Sequence, residues 1–188
     1  MKRAVICLAI VVVVAATMAG QSLTVRVEND QLHIAAPRLH FLIGEALNRL
    51  HDGATVNYEF QLTAKTDRNG RVLARTLQQF AVSYDLWEEK FSIKKLGPTP
   101  RTLSHLSAAA AEAWCLDNTS IPVAALGSTS MFWVRLDYQA RDPNEADRSD
   151  SSFTLTGLID IFSRRTRSEQ LHGFEEAGPL RRDNLKRE

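Results

Sequence analysis

The sequence predicts an α+β fold, an antiparallel sheet of about five to seven strands with two helices packed on one face. A β-sandwich-like arrangement is the alternative. Several segments alternate strictly between apolar and polar residues, the period of a half-buried strand. Two other segments bring apolar residues back at steps of three and four, the period of a helix. The alternating segments also follow one another through short turns, which joins neighbouring strands antiparallel.

"SLTVRVENDQLHIAAP" alternates at Leu23, Val25 and Val27, pauses at Asn29-Asp30 and resumes at Leu32 and Ile34. That is a hairpin, because Asn and Asp tolerate the positive φ of a two-residue turn. The first helix is expected to begin at Pro37, whose missing N–H suits a first turn. Its apolar stripe is Leu39, Leu42, Ile43, Ala46, Leu47 and Leu50, and Gly53 is placed to close it. Gly44 within the stripe implies close packing against another backbone.

In "VNYEFQLTAKTDRNGRV", Val56, Tyr58, Phe60, Leu62 and Ala64 point one way, while Asn57, Glu59, Gln61, Thr63 and Lys65 point the other. "DRNG" turns the chain, and the return strand carries Phe80, Val82, Tyr84 and Leu86 on one side. "WEEK" reads as a second turn, after which Phe91 and Ile93 pair back. In "MFWVRLDYQAR", Phe132, Val134, Leu136 and Tyr138 face in, and Trp133, Arg135, Asp137 and Gln139 face out. Half-polar strands of this kind imply a sheet covered on one face and wet on the other. Between them, Pro98 and Pro100 introduce a second helix, capped at Thr102, with Leu103, Leu106, Ala110 and Trp114 along one side. "IPVAALG" suits an edge strand because Pro122 cannot donate to a ladder. "DPNEADRSDSS" reads as a polar loop, and "FTLTGLIDIF" as a strand or a helix.

The 188-residue chain opens with "MKR" and an unbroken apolar run to Ala19, with small residues at Thr17 and Ala19. That is the layout of a cleavable export signal, so the organisation is 1–19 signal peptide, 20–162 a single α+β domain, and 163–188 a charged, disordered tail. An uncleaved membrane anchor is the alternative. Loss of Lys2 and Arg3 takes the formal charge from +1 to −1, which leaves no global field to attract nucleic acid. Cys115 then stands alone, so no intramolecular disulfide forms; it reads as a small buried apolar residue.

Hydrolase and nucleotide motifs are missing: "GSTSM" lacks the second glycine of a nucleophile elbow, and there is no phosphate-cradling loop or zincin pair. His40 and His51, placed on one helix, would lie about 16 Å apart, too far to share an ion. His105 and Glu112, placed two turns apart on the second helix, fail likewise. His33 reads as a surface or hydrogen-bonded histidine, and no metal or cofactor is expected. Trp87, Glu88 and Glu89 form the most interesting local group. Either the exposed ring grips a sugar or a cation, or Trp87 caps the apolar layer while both glutamates stay solvated. Trp133, on a nominally wet face, marks a contact surface or is covered by a helix. Asn118 heads an "NTS" glycosylation pattern. Basic clusters in the tail are interleaved with acids, which fits a solvated segment.

"RVENDQLHIAAPRLHFLIGEALNRLHDGATVNYEFQL", "FAVSYDLWEEKFSI", "RTLSHLSAAAAEAW" and "MFWVRLDYQ" occur in that order. The succession resembles an uncharacterised family of exported bacterial proteins filed as a domain of unknown function. "TAKTDRNGRVLAR" stands where such proteins carry a tryptophan-rich segment. The resemblance implies a bacterial envelope setting and brings no catalytic residue with it.

The expected function is an exported, periplasmic or extracellular, non-catalytic binding or accessory module. Its partner would be an envelope protein or polymer, and membrane contact would come through the N-terminal segment if that is retained. One alternative is a hydrolase or transferase whose site gathers distant residues such as Glu88, Glu89 and His33. The other is a membrane-tethered sensor element.

Overall fold

A computed structural model describes residues 23–141 and 171–185. The first hairpin forms as its pattern implies: β1 (Thr24–Glu28) and β2 (Gln31–Ala35) pair with Val25 opposite Ile34 and Val27 opposite Leu32. Asn29 and Asp30 take φ of 49° and 57°, the two left-handed residues of a tight hairpin turn. A short strand, β7 (Ser120–Pro122), adds to the free edge of β2 and ends at its proline, and a 3-10 turn over Val123–Leu126 follows.

The remaining strands form a second antiparallel sheet: β3 (Val56–Lys65), β4 (Val72–Asp85), β5 (Lys90–Leu96), β6 (Arg101–Leu106), β8 (Met131–Arg141) and β9 (His172–Arg181). Their spatial order is β6-β5-β4-β3-β8-β9. The protein is therefore α+β, with nine strands in two antiparallel sheets of three and six strands, and two helices, among the described residues.

Tyr58, Phe60, Leu62 and Ala64 of β3 meet Phe80, Val82, Val134 and Leu136 on the inner face of the large sheet, all fully buried. Rings link the layers. Phe41 packs at 5.0 Å from both Tyr58 and Phe60, Phe60 at 5.7 Å from Phe80, and Phe80 at 5.8 Å from Trp114. Tilted and edge-to-face rings at such distances add to the burial of their area. The apolar sides of both helices and of the small sheet close the same core.

Both helices are shorter than their periodicity implies. α1 spans Gly44–His51. Residues 37–43, expected to be its first half, are not helical, although Leu39, Phe41 and Leu42 are buried. The reason lies on the other helix, where Glu112 accepts hydrogen bonds from the N–H groups of Phe41 (2.8 Å) and Leu42 (2.9 Å). A buried carboxylate that takes up two backbone donors satisfies them outside a helix. Gly44 starts the helix at φ +60° with nothing within 4 Å of a would-be Cβ, so conformation and not close packing explains it. Gly53, at φ +83°, terminates the helix as expected.

α2 spans Ala108–Asp117 and is capped by Ser107, whose Oγ accepts from the Ala110 N–H at 3.3 Å. Thr102, the expected cap, instead lies in β6 opposite Lys94, and Leu103 is exposed there. Leu103 and Leu106 share helical spacing but also fit an edge strand, and the prolines before them turn the chain back onto β5. The buried side of α2 is Ala111, Glu112, Cys115 and Leu116; Ala110 is exposed. Leu86, assigned to the inner face, sits exposed in the β4–β5 turn.

The segment 163–188, expected to be a disordered tail, contains β9, which lies along β8 with Leu136 opposite Glu175 and Asp137 opposite Phe174. Two glycines admit it. A Cβ on Gly173 would lie 2.4 Å from the Tyr138 hydroxyl, and one on Gly178 would lie 2.4 Å from the Trp133 ring. Among the described residues no helix is long and apolar enough to cross a membrane. The N-terminal apolar run, the "DPNEADRSDSS" loop and the "FTLTGLIDIF" segment lie outside the described residues.

Candidate functional site

Trp87, Glu88 and Glu89 occupy the tip of the β4–β5 hairpin. Asp85 Oδ1 accepts hydrogen bonds from the N–H groups of Trp87 (2.8 Å) and Glu88 (3.0 Å). Those donors hold the Asp85 carboxyl below its ordinary pKa, the Glu88 N–H contributing most. Glu89 completes the turn at φ +54°. Trp87 is 96% exposed, so it caps no apolar layer. Glu88 Oε2 lies 2.9 Å from Nε2 of His105, which is on β6 and not on a helix.

Trp133 does not join this group. It lies opposite Lys65, at the far end of β3 from Val56, whose partner Val82 leads to the Trp87 turn. The length of β3 alone separates the two tryptophans by roughly 30 Å. Among the described residues no helix covers Trp133. Its ring meets the backbone of Gly178, with the Arg68 guanidinium 5.7 Å from its centroid.

The three residues suggested for a composite catalytic site do not converge. His33 Nδ1 is 2.8 Å from the Asp117 carbonyl. Next in the chain, the Asn118 carbonyl accepts from Lys95 Nζ at 3.1 Å, and Lys95 is five residues along β5 from Lys90, about 17 Å from the hairpin tip. His40 precedes α1 and meets Glu112 Oε2 through Nδ1 at 2.9 Å. Cys115 is buried and its thiol is pushed well above its ordinary value, chiefly by desolvation. Among the described residues no group of three or more His, Cys, Asp or Glu side chains could hold a metal ion. The Asn118 amide donates to the Trp114 carbonyl at the end of α2.

The outer face of the large sheet was expected to be wet along its whole polar row. At its centre it is not. Glu59 is 1% exposed and Thr63 2%, and Gln61 is buried as well. Side chains on the flanking strands close over Glu59. Gln79 Nε2 donates to Glu59 Oε1 at 2.6 Å, Gln139 Nε2 to Oε2 at 2.7 Å, and Arg141 Nε lies 3.2 Å from the same oxygen. A buried carboxylate is tolerable when it is bonded and paired in this way.

Two residues further along β3 this outer layer opens into a cavity of about 300 Å³. Gln61, Thr63 and Lys65 come from β3, Arg75 from β4, Arg135 and Asp137 from β8, and Phe174 from β9. Strand register sets the arrangement, since Arg75, Thr63, Arg135 and Glu176 lie side by side across four strands. Asp137 clasps Arg135 through Nε (2.9 Å) and Nη2 (2.7 Å), and Glu176 lies 3.5 Å from Nη1. The Asp137 bonds raise the Arg135 pKa further. The Arg135 guanidinium carbon lies 4.1 Å from the Phe174 ring centroid. Glu176 also accepts from Arg68 Nε at 3.1 Å.

Thr63 Oγ1 and Arg75 Nε are buried without a hydrogen-bond partner among the described residues. The hollow is therefore rich in unused donor capacity. Among the described residues that line it, no nucleophile is paired with a base. Alternation along β3 and β8 had placed Thr63, Lys65, Arg135 and Asp137 on one side. Arg75 and Phe174 carried no such signal, because the start of β4 gave no clear period and Phe174 lies in the segment taken for a tail. Neither a known protein family, nor a curated protein, nor a solved structure matches this chain.

Proposed function

We propose that this protein is an exported, non-catalytic module of the bacterial envelope that binds an envelope polymer through the outer face of its six-stranded sheet. The hollow on that face carries the proposal. A cavity of about 300 Å³, floored by Thr63 and walled by cationic side chains and Phe174, suits a sugar-sized unit. The envelope setting is supported by the N-terminal pattern of the sequence.

A second reading, contact with an envelope protein, is favoured by the hairpin tip, where Trp87 and Leu86 stand exposed side by side. Co-sedimentation of purified protein with isolated, protein-free envelope polymer separates the two. Binding lost in a Phe174→Ala/Arg75→Ala double variant and kept in Trp87→Ala supports the outer face. Binding lost only in Trp87→Ala, or absent altogether, overturns it.

A further inference from the structure

We infer that the hollow recognises an oxyanion, a carboxylate or phosphate carried on a sugar-sized unit, held by Arg75 and Lys65 with the Thr63 hydroxyl beneath. The inference rests on the outer face being a binding surface and names the chemistry of what it binds.

The balance of charge around the hollow is the first ground. Each carboxylate there is already engaged: Glu59 with Arg141, Asp137 with Arg135, and Glu176 with Arg135 and Arg68. Arg75 and Lys65 line the same cavity, and no carboxylate among the described residues pairs with either. Two cations facing one hollow without counter-charge set up a local positive potential, and low-dielectric walls strengthen it.

Unmet hydrogen bonding is the second and independent ground. Arg75 Nε and Thr63 Oγ1 are buried and unpartnered side by side in one cross-strand row. Folded proteins rarely leave such groups unsatisfied, and each exception calls for an explanation. An oxyanion accepts from both at once, and a guanidinium recognises it through paired N–H groups.

The spacing agrees. Arg75 and Arg135 flank Thr63, so their backbones stand about 10 Å apart, two inter-strand steps. That leaves room for one oxyanion above Thr63. Arg135 is held back by Asp137 and contributes mainly a fixed wall. Phe174, 54% exposed at the rim, offers apolar ring surface to the attached unit. A cationic ligand would find no free carboxylate among the described side chains that line the hollow.

The test is an NMR titration of the full chain at low ionic strength with three probes: glucuronate, glucose 6-phosphate and neutral glucose. Shifts at Thr63, Arg75 and Phe174 with either charged probe, at least tenfold tighter than with glucose, are the expected result. Arg75→Gln should weaken that binding about tenfold and Arg75→Lys less, with thermal unfolding midpoints confirming that both variants fold. Binding should also weaken as salt rises. Response to glucuronate alone identifies a carboxylate, to the phosphate alone a phosphorylated unit, and either supports the inference. Equal shifts with glucose and the charged probes, unaffected by Arg75→Gln, would overturn the oxyanion while leaving the outer-face reading intact. No shift on the outer face with any probe, together with failed co-sedimentation, would remove both.

Discussion

Replacing Glu112 with alanine takes away the acceptor for the Phe41 and Leu42 N–H groups and strands two buried donors beside the core. Each buried donor left unpaired costs about 1–3 kcal/mol, so the variant should lose about 2–6 kcal/mol of unfolding free energy by urea denaturation. Glu112→Gln keeps a carbonyl oxygen in place and should lose less than half as much. Equal losses in the two variants would assign the effect to packing alone. The same residue explains why the first helix is misread from its spacing. Leu39 and Leu42 fit a helical stripe, and they are buried, but a side chain seventy residues further on takes up the Leu42 N–H and the segment is not helical. Nothing local to "PRLHFL" encodes that bond. Glu112 itself stands in an alanine-rich stretch where a solvated glutamate is the ordinary expectation.

At the scale of elements, the β4–β5 hairpin is organised by one carboxylate. Asp85 accepts the Trp87 and Glu88 N–H groups in its charged form, and its folded pKa lies below the ordinary value near 4. The contribution of these bonds to turn stability is therefore complete above about pH 4 and fades as pH falls through the lowered folded value. The Asp85 side-chain carboxyl carbon shift should show its main titration below about pH 4. A main titration of that carbon centred above this value would contradict the assignment. Strands were legible where both flanks carried alternation, as in β3 and β8, and where the turn chemistry was explicit, as at Asn29-Asp30. β6 and β9 were not. Leu103 and Leu106 fit two periods equally well. β9 alternates charge, glycine and proline, with Ala177 its only fully buried apolar residue. Its place depends on Gly173 and Gly178 lying against aromatic rings of β8, a fit between strands that one strand cannot announce.

For the whole molecule, the two faces of the large sheet do different work. The inner face joins both helices and the small sheet in one apolar core, as the alternation implied. On the outer face, alternation separated polar from apolar correctly but did not say that Glu59, Gln61 and Thr63 would be closed to water. Over Glu59 that closure comes from Gln79, Gln139 and Arg141 on neighbouring strands, while Arg75 and Arg135 flank Thr63. Periodicity assigns a residue to a side; only register shows which side chains meet there. The same register sets Arg75 and Arg135 on either side of Thr63 and makes a hollow of a row that would otherwise be plain surface.

Hydrogen–deuterium exchange of the full chain, with and without soluble envelope polymer, tests the role of that face most directly. The account predicts added protection confined to the outer-face strands around Thr63, Arg75, Arg135 and Phe174, with the Trp87 turn unchanged. Protection confined to the Trp87 turn, or none anywhere at saturating polymer, would contradict it.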